Sequence, residues 1–194
     1  MRKLKLQMSI TVDGFVAGPN GELDWMNPDM AMEDEKLLPY MNSLIDSSET
    51  ILMGRKMTDG FVNYWTGVLE NPESPEYMFA RKMIDCPKVV FTKTLDESAW
   101  PNTVLAKGDI VEEVNHLKNQ QGKDLLVYGG AGFVSSLIKH NLIDEYHLFV
   151  HPVAIGNGMT IFSEFGDKFR LKQVDATPYE CGVTVHKYLP GSTT

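Results

Sequence analysis

The sequence predicts an α/β protein: a mostly parallel sheet covered on both faces, with an antiparallel hairpin at one edge. Three observations carry that expectation. Short apolar runs alternate with stretches of helical periodicity along most of the chain. Several runs stop abruptly at a glycine or a turn pair, as at Asp13-Gly14, Gly54 and Gly129-Gly130. The C-terminal part changes character, with two strand-like segments, 169–176 and 182–189, flanking residues 178–181 as a closing hairpin.

The elements follow in order. Leu4, Leu6, Met8, Ile10 and Val12 alternate with Lys5, Gln7, Ser9 and Thr11, a first strand that ends at Asp13-Gly14. Residues 17–32 carry Gly18, Pro19, Gly21 and Pro28 and form a long loop. Leu37, Leu38, Met41, Leu44 and Ile45 make a helical stripe within 33–46. A short apolar strand, 50–53, ends at Gly54, and a short helix follows over 56–64. Beyond the Pro-rich loop 71–75, Met78, Phe79, Met83 and Ile84 mark a helix, and 88–92 and 103–106 are strands. Residues 110–119 form a helix and 125–128 a strand. A helix then runs to His140, a strand spans 145–150, and a turn-rich connection covers 152–158.

Composition narrows the function classes. A chain of 194 residues can build one good-sized domain with a substantial core. Its net charge of −8 argues against a nucleic-acid or anionic-membrane binder acting through global attraction, so any anion site must be a local basic patch. The N-terminus lacks the continuous apolar stretch and cleavage site of a signal peptide, and no run is long enough to span a bilayer. Cys86 and Cys181 lie far apart with no CxxC, which reads as a reducing cytoplasm.

Ligands of open parallel sheets bind outside the carboxyl ends of the strands. Asp13-Gly14, Gly54-Arg55-Lys56, Thr92-Lys93 and Gly129-Gly130 all follow strands there. Gly129, Gly130, Ala131 and Gly132 lead from a strand into a helix that begins near Phe133. This is either a phosphate cradle of bare backbone N–H groups or a tight turn that binds nothing. The spacing departs from a Rossmann fingerprint, the third glycine position falling on Ser135, and no Gly-Lys-Ser/Thr completes a Walker loop. Arg55 and Lys56 stand at a helix start, where cations oppose the dipole by a few tenths of a kcal/mol unless an anion sits there. With Lys93 they would suit the 2′-phosphate of NADP; otherwise they form a solvated basic turn.

Asp13 is a candidate ligand-orienting or proton-relaying group, although an Asp-Gly pair equally makes a turn. Asp24 and Trp25 are candidates to line a substrate pocket, with Trp25 stacking on a planar ring or anchoring the loop. Met26, Met30 and Met32 give that loop an adaptable apolar surface, suited to a lid or to plain packing. His147 and His151 share a strand face, but no carboxylate or cysteine completes a metal set, and they read as structural. Neither a Gly-x-Ser-x-Gly elbow nor a cysteine with a partner supports nucleophilic catalysis.

The segments SITVDGFVAG, ILMGRKMTDGF, KVVFTKTL and LLVYGGAGFVSSLIKHNLIDEYHLFVHPVAIGNG, in this order, resemble the dihydrofolate reductase-like superfamily. The resemblance is nearest to the reductase domain at the C-terminus of the bifunctional riboflavin-pathway deaminase–reductase and its stand-alone relatives. It covers nearly the whole chain, as one domain over residues 1–190 with a tail at 191–194. It implies a three-layer α/β/α fold, NADPH as cofactor, a small-molecule substrate and a homodimer using the C-terminal strands. By the same resemblance Gly54, Arg55 and Lys56 lie near the adenosine and phosphates, and Thr92 and Lys93 beside the 2′-phosphate. Gly129, Gly130, Ala131, Gly132 and Phe133 hold the pyrophosphate, and Val16 and Ala17 contact the nicotinamide carboxamide.

Two departures stand out. Met57 precedes Thr58 where relatives carry Thr directly after the Gly-Arg-x run. Leu37 to Ile45 contains no arginine for a phosphorylated ribosyl substrate, and Asp46 lies at the wrong end of the first helix to engage a pterin. The implied activity is NADPH-dependent reduction of a small heterocyclic or ribosylaminopyrimidine-type compound, the closest named activity being 5-amino-6-(5-phosphoribosylamino)uracil reductase. A non-catalytic NADP(H)-binding sensor, a dihydrofolate or pteridine reductase, and a flavin-dependent protein are the alternatives.

Overall fold

The computed structural model of the protein describes residues 1–26, 34–164 and 168–191. Pro28, Met30 and Met32 of the expected loop, and residues 192–194 of the expected tail, lie outside them. Eight strands form one sheet in the order β4-β3-β2-β5-β1-β6-β8-β7. The strands are β1 (Leu4–Thr11), β2 (Ser48–Gly54), β3 (Lys88–Phe91), β4 (Thr103–Ala106), β5 (Asp124–Gly129), β6 (Glu145–His151), β7 (Leu171–Pro178) and β8 (Thr184–Pro190). The first six pair in parallel; β8 joins β6, and β7 joins β8, antiparallel. All six parallel strands therefore end on one edge.

Among the described residues five helices connect them: α1 (Leu37–Asp46), α2 (Arg55–Val68), α3 (Tyr77–Asp85), α4 (Ile110–Asn119) and α5 (Ala131–Lys139). Helix α2 runs past the expected end at Tyr64 because its buried stripe of Thr58, Phe61 and Val62 continues to Trp65, which packs edge-on against Phe61 and Phe79. Helices α1, α2 and α3 close one face of the sheet in a cluster with Ile51, Met53, Val90 and Leu126. On the other face Val114 of α4 and Val134, Leu137 and Ile138 of α5 pack against Leu4, Leu6, Met8 and Leu125. Burial of this scale is the main favourable term in folding, worth about 1.5–3 kcal/mol for each large apolar side chain.

The alternation along β1 ordinarily marks a strand with one wet face. Here both faces are covered, and Lys5, Gln7 and Thr11 are as buried as the leucines between them. Lys5 and Thr11 survive burial by pairing, whereas Gln7 Oε1 finds no hydrogen-bond partner among the described residues. Lys5 Nζ lies 2.8 Å from Asp124 Oδ2 and donates to Ser47 Oγ at 2.9 Å.

The β2–β5 register slips at its end, Leu52 opposing Val127 but Met53 opposing Gly129. That irregularity turns the Gly129-Gly130 segment at the carboxyl edge.

Candidate functional site

At the carboxyl edge two neighbouring strands each run straight into a helix. Gly54 caps α2 and Gly130 caps α5, and neither start has a side-chain hydrogen bond. By contrast α4 begins under Asp109, which accepts from the N–H groups of Val111 and Glu112. Helix α1 begins under Asp34, which accepts from those of Lys36 and Leu37. The first turn of α5 leaves the N–H groups of Ala131, Gly132 and Phe133 without intrahelical acceptors, since the first such bond is Val134 N–H to Gly130 O. Two positive helix ends therefore face one region, an arrangement suited to an anion.

The glycines have separable reasons. Gly130 sits at φ +91°, and a Cβ there would lie 3.6 Å from the Gly54 Cα and N, so the two turns touch backbone to backbone. Gly54 itself yields to Phe133, whose Cβ would be 2.7 Å from an added methyl. Phe133 reaches across β2 to Phe91, the last residue of β3, with ring centroids 4.8 Å apart and planes tilted by 35°. Gly129, at φ +152°, lies under the Met57 sulfur, which accounts for a bulky residue at that place. Thr58 points inward instead, its hydroxyl donating to Gly54 O at 3.2 Å.

The basic residues are arranged unevenly. Arg55 is partly exposed and 3.7 Å from Asp59, one turn on. Lys56 is exposed. The Lys93 ammonium donates to the carbonyls of Lys107 and Gly108, at 2.8 and 2.7 Å, and so ties the end of β3 to the loop after β4. Thr92 is buried, and its hydroxyl oxygen accepts from the N–H groups of Thr94 and Leu95, which makes it a turn-closing residue.

Beyond β5 comes β1, whose end forms a second structure. Asp13 is exposed, yet its carboxylate accepts from Thr11 Oγ1 at 2.5 Å and from the N–H groups of Ile155 and Gly156 at 3.1 and 2.8 Å. The Thr11 hydroxyl bond and those backbone donors hold its carboxyl below the usual range. With one oxygen taken by the Thr11 hydroxyl and the other by two backbone N–H groups, the carboxylate staples the loop. Val16 and Ala17 are buried and pair with Met159, through Val16 N–H to Met159 O and Met159 N–H to Ala17 O, each at 2.8 Å.

On the α1 side of β1, Trp25 meets His151 edge-on with ring centroids 5.3 Å apart, and its buried Nε1 has no hydrogen-bond partner among the described residues. His151 Nε2 lies 3.1 Å from Ser9 Oγ, and burial pushes the imidazole pKa down. Asp24 is exposed beside Trp25. Sequence reasoning had set His151 aside and passed over Ser9; an offset of two residues between paired strands has no signature in one dimension.

It also passed over Asp34, an acid at the favourable end of the first helix. Burial would raise the Asp34 pKa, but hydrogen bonds from Lys36, Cys181 and Leu37 outweigh it and hold the carboxyl at about 2. The carboxylate is thereby committed to joining α1 to the β7–β8 turn.

His147 is buried. Tyr40 Oη lies 2.6 Å from its Nδ1, and burial brings its pKa to about 4. Among the described residues no group of three or more His, Cys, Asp or Glu is placed to hold a metal ion, and no helix is long and apolar enough to cross a membrane.

Known proteins share the fold of this chain. The family model for the RibD C-terminal domain matches residues 2–185. A Bacillus subtilis (strain 168) protein, YyaP, is 35% identical over 185 residues, covering 94% of this chain and 92% of its own. Among solved structures, the diaminohydroxyphosphoribosylaminopyrimidine deaminase/5-amino-6-(5-phosphoribosylamino)uracil reductase of Thermotoga maritima superposes with a TM-score of 0.68 at 17% identity. It is covered over 98% of this chain and 57% of its own length. Dihydrofolate reductase of Enterococcus faecalis, complexed with NADP(H), gives a TM-score of 0.62 at 17% identity, over 98% of this chain and 97% of that one. At those identities the likeness is one of fold. With the family match spanning nearly the whole chain, a dihydrofolate reductase-like sheet and a bare double helix start at its carboxyl edge, the protein belongs to the RibD C-terminal domain family of reductase-like proteins.

Proposed function

We propose that the protein is an NADPH-dependent reductase acting on a small heterocyclic or ribosylaminopyrimidine-type substrate. The observation that carries this reading is the pair of uncapped helix starts at Gly54 and Gly130, in backbone contact at adjacent strand ends. One dinucleotide, laid across β3, β2, β5 and β1, would cross three strand spacings, about 14 Å. Its pyrophosphate would rest on the N–H groups of Ala131, Gly132 and Phe133, with Gly129 and Gly130 giving close approach. The adenosine 2′-phosphate would meet Arg55 and Lys56, with Thr92 and Lys93 shaping the turn beside it. The nicotinamide would lie along Val16 and Ala17. When bound, NADPH supplies a hydride; the protein's contribution is to hold and orient.

The substrate would lie on the α1 side of β1, where Trp25, His151 and Ser9 offer an aromatic edge and neutral hydrogen-bonding groups, and Asp24 the rim. Asp34, at the start of the first helix, is taken up by backbone donors instead of facing a protonated pterin, which favours a pyrimidine over a folate. A homodimer is part of this reading, with the exposed edge strand β7 as its contact surface, and light scattering of the purified protein tests it.

The decisive experiment titrates the protein with NADPH and NADH, then follows NADPH absorbance with 5-amino-6-(5-phosphoribosylamino)uracil and with dihydropteridines. Tighter binding of NADPH and its oxidation by a pyrimidine are expected. Binding without turnover on any ring would leave a sensing module, and equal affinity for the two cofactors would remove the 2′-phosphate assignment.

A further inference from the structure

The end of β1 and the loop after β6 are interlocked at three levels. At the first, Val12 N–H donates to Val153 O at 3.0 Å. At the second, one oxygen of Asp13 takes both the Ile155 and Gly156 N–H groups, a backbone nest formed with Gly156 at φ +74° and filled by the protein's own carboxylate. At the third, Val16 and Ala17 pair with Met159, and Gly158 presses so close that a Cβ there would stand 2.2 Å from Ala17 O. Thr11 closes the system from below. Its N–H donates to Phe15 O at 2.8 Å, and its hydroxyl oxygen accepts from Phe15 N–H at 2.9 Å while bonding to Asp13. Exposed turns of this kind open at low cost unless tied. Here the third level holds the Val16-Ala17 pair directly, and the first two fix the turn that leads into it.

We propose that Asp13, Thr11 and Gly158 form a clasp of positioning residues that fixes the Val16-Ala17 segment for the nicotinamide half of the cofactor. The inference rests on the cofactor reading above and assigns Asp13 a role through backbone rather than through a proton. Because the clasp lies beyond β5 from the two helix starts, it should act on one half of the dinucleotide alone.

NADPH and 2′,5′-ADP, which lacks the nicotinamide half, separate the cases. Both are titrated into the wild-type protein and into the Asp13→Ala, Asp13→Asn, Thr11→Val and Gly158→Ala variants, with thermal melts alongside. In the wild type, NADPH should bind more tightly than 2′,5′-ADP. Asp13→Ala and Gly158→Ala should each weaken NADPH by about tenfold or more, which is about 1.4 kcal/mol, and leave 2′,5′-ADP within about twofold. Asp13→Asn, which keeps one acceptor, should fall between. Equal weakening of both ligands, or none, overturns the clasp while the cofactor reading stands. A wild-type protein that binds neither overturns the cofactor reading itself and the clasp with it.

Discussion

The two edges of the parallel sheet are built from opposite materials. At the amino edge the strands are welded by charge. Glu145 accepts from Lys3 Nζ at 2.6 Å and lies 3.1 Å from Lys187, Lys5 meets Asp124, and Lys118 meets Asp144 at 2.6 Å. At the carboxyl edge glycines at 14, 54, 129 and 130 end the strands, and backbone N–H groups do the work of side chains. An ion pair suits an edge where nothing must enter, because its partners satisfy one another. A ligand edge needs the reverse, donors left unsatisfied by the protein and space left by missing Cβ atoms. The contrast teaches that stability and binding are separable along the strand axis.

Glu145→Ala should break the comparison most strongly at the amino edge. It removes the acceptor that Lys3 and Lys187 share while both lysines still reach solvent, so about 2 kcal/mol of stability and roughly 6 °C in Tm should be lost by thermal denaturation, with NADPH affinity unchanged.

Acid should act on the same edge. Burial would raise the Glu145 pKa, but the hydrogen bonds from Lys3 and Lys187 outweigh it and hold it at about 2, as backbone donors do for Asp34. Their folded pKa values lie below the unfolded ones, so the stability they contribute is present above about pH 5 and is lost as pH falls toward 2. His147, buried and neutral with its pKa at about 4, adds a loss that begins near its ordinary value of 6.5. Urea titrations from pH 7 to pH 3 should show a falling midpoint, and Glu145→Gln should flatten the lower part of that fall.

At the carboxyl edge Gly54→Ala drives a methyl against Phe133 and should part the two helix starts. An approximately tenfold loss of NADPH affinity with about 1–3 kcal/mol of destabilisation is expected from calorimetry and melts. Arg55→Ala sharpens the comparison with the smallest effect on folding, since its ion pair with Asp59 is exposed. NADPH-over-NADH preference should drop by about tenfold while stability stays within about 0.5 kcal/mol.

Periodicity located the strands and helices well because it reports burial along one element at a time. The helix expected at 110–119 is α4 (Ile110–Asn119), and the hairpin, the parallel core and the glycine turn after β5 all lie where their patterns placed them. Reading β1 was harder. Its polar residues look like a wet face, and only the charged neighbours Asp124 and Glu145, distant in sequence, reveal a buried one. Lys93 offers a similar lesson, because its cation is engaged by two carbonyls of the loop after β4, and a basic residue at a strand end carries no mark of whether its charge is spent.

By itself the amino-acid sequence determined the α/β alternation, the shared carboxyl edge and the glycine-to-helix transitions, because each of these is a local pattern of burial and backbone freedom. Tertiary structure alone decided which groups remain available there. It spent Asp13, Asp34 and Thr92 on neighbouring backbone, set Gly54 against Gly130, and brought Trp25, His151 and Ser9 together. Those outcomes depend on hydrogen-bond partners and close approaches between segments far apart in the chain, and a donor or acceptor can be counted as free only once every neighbour is known.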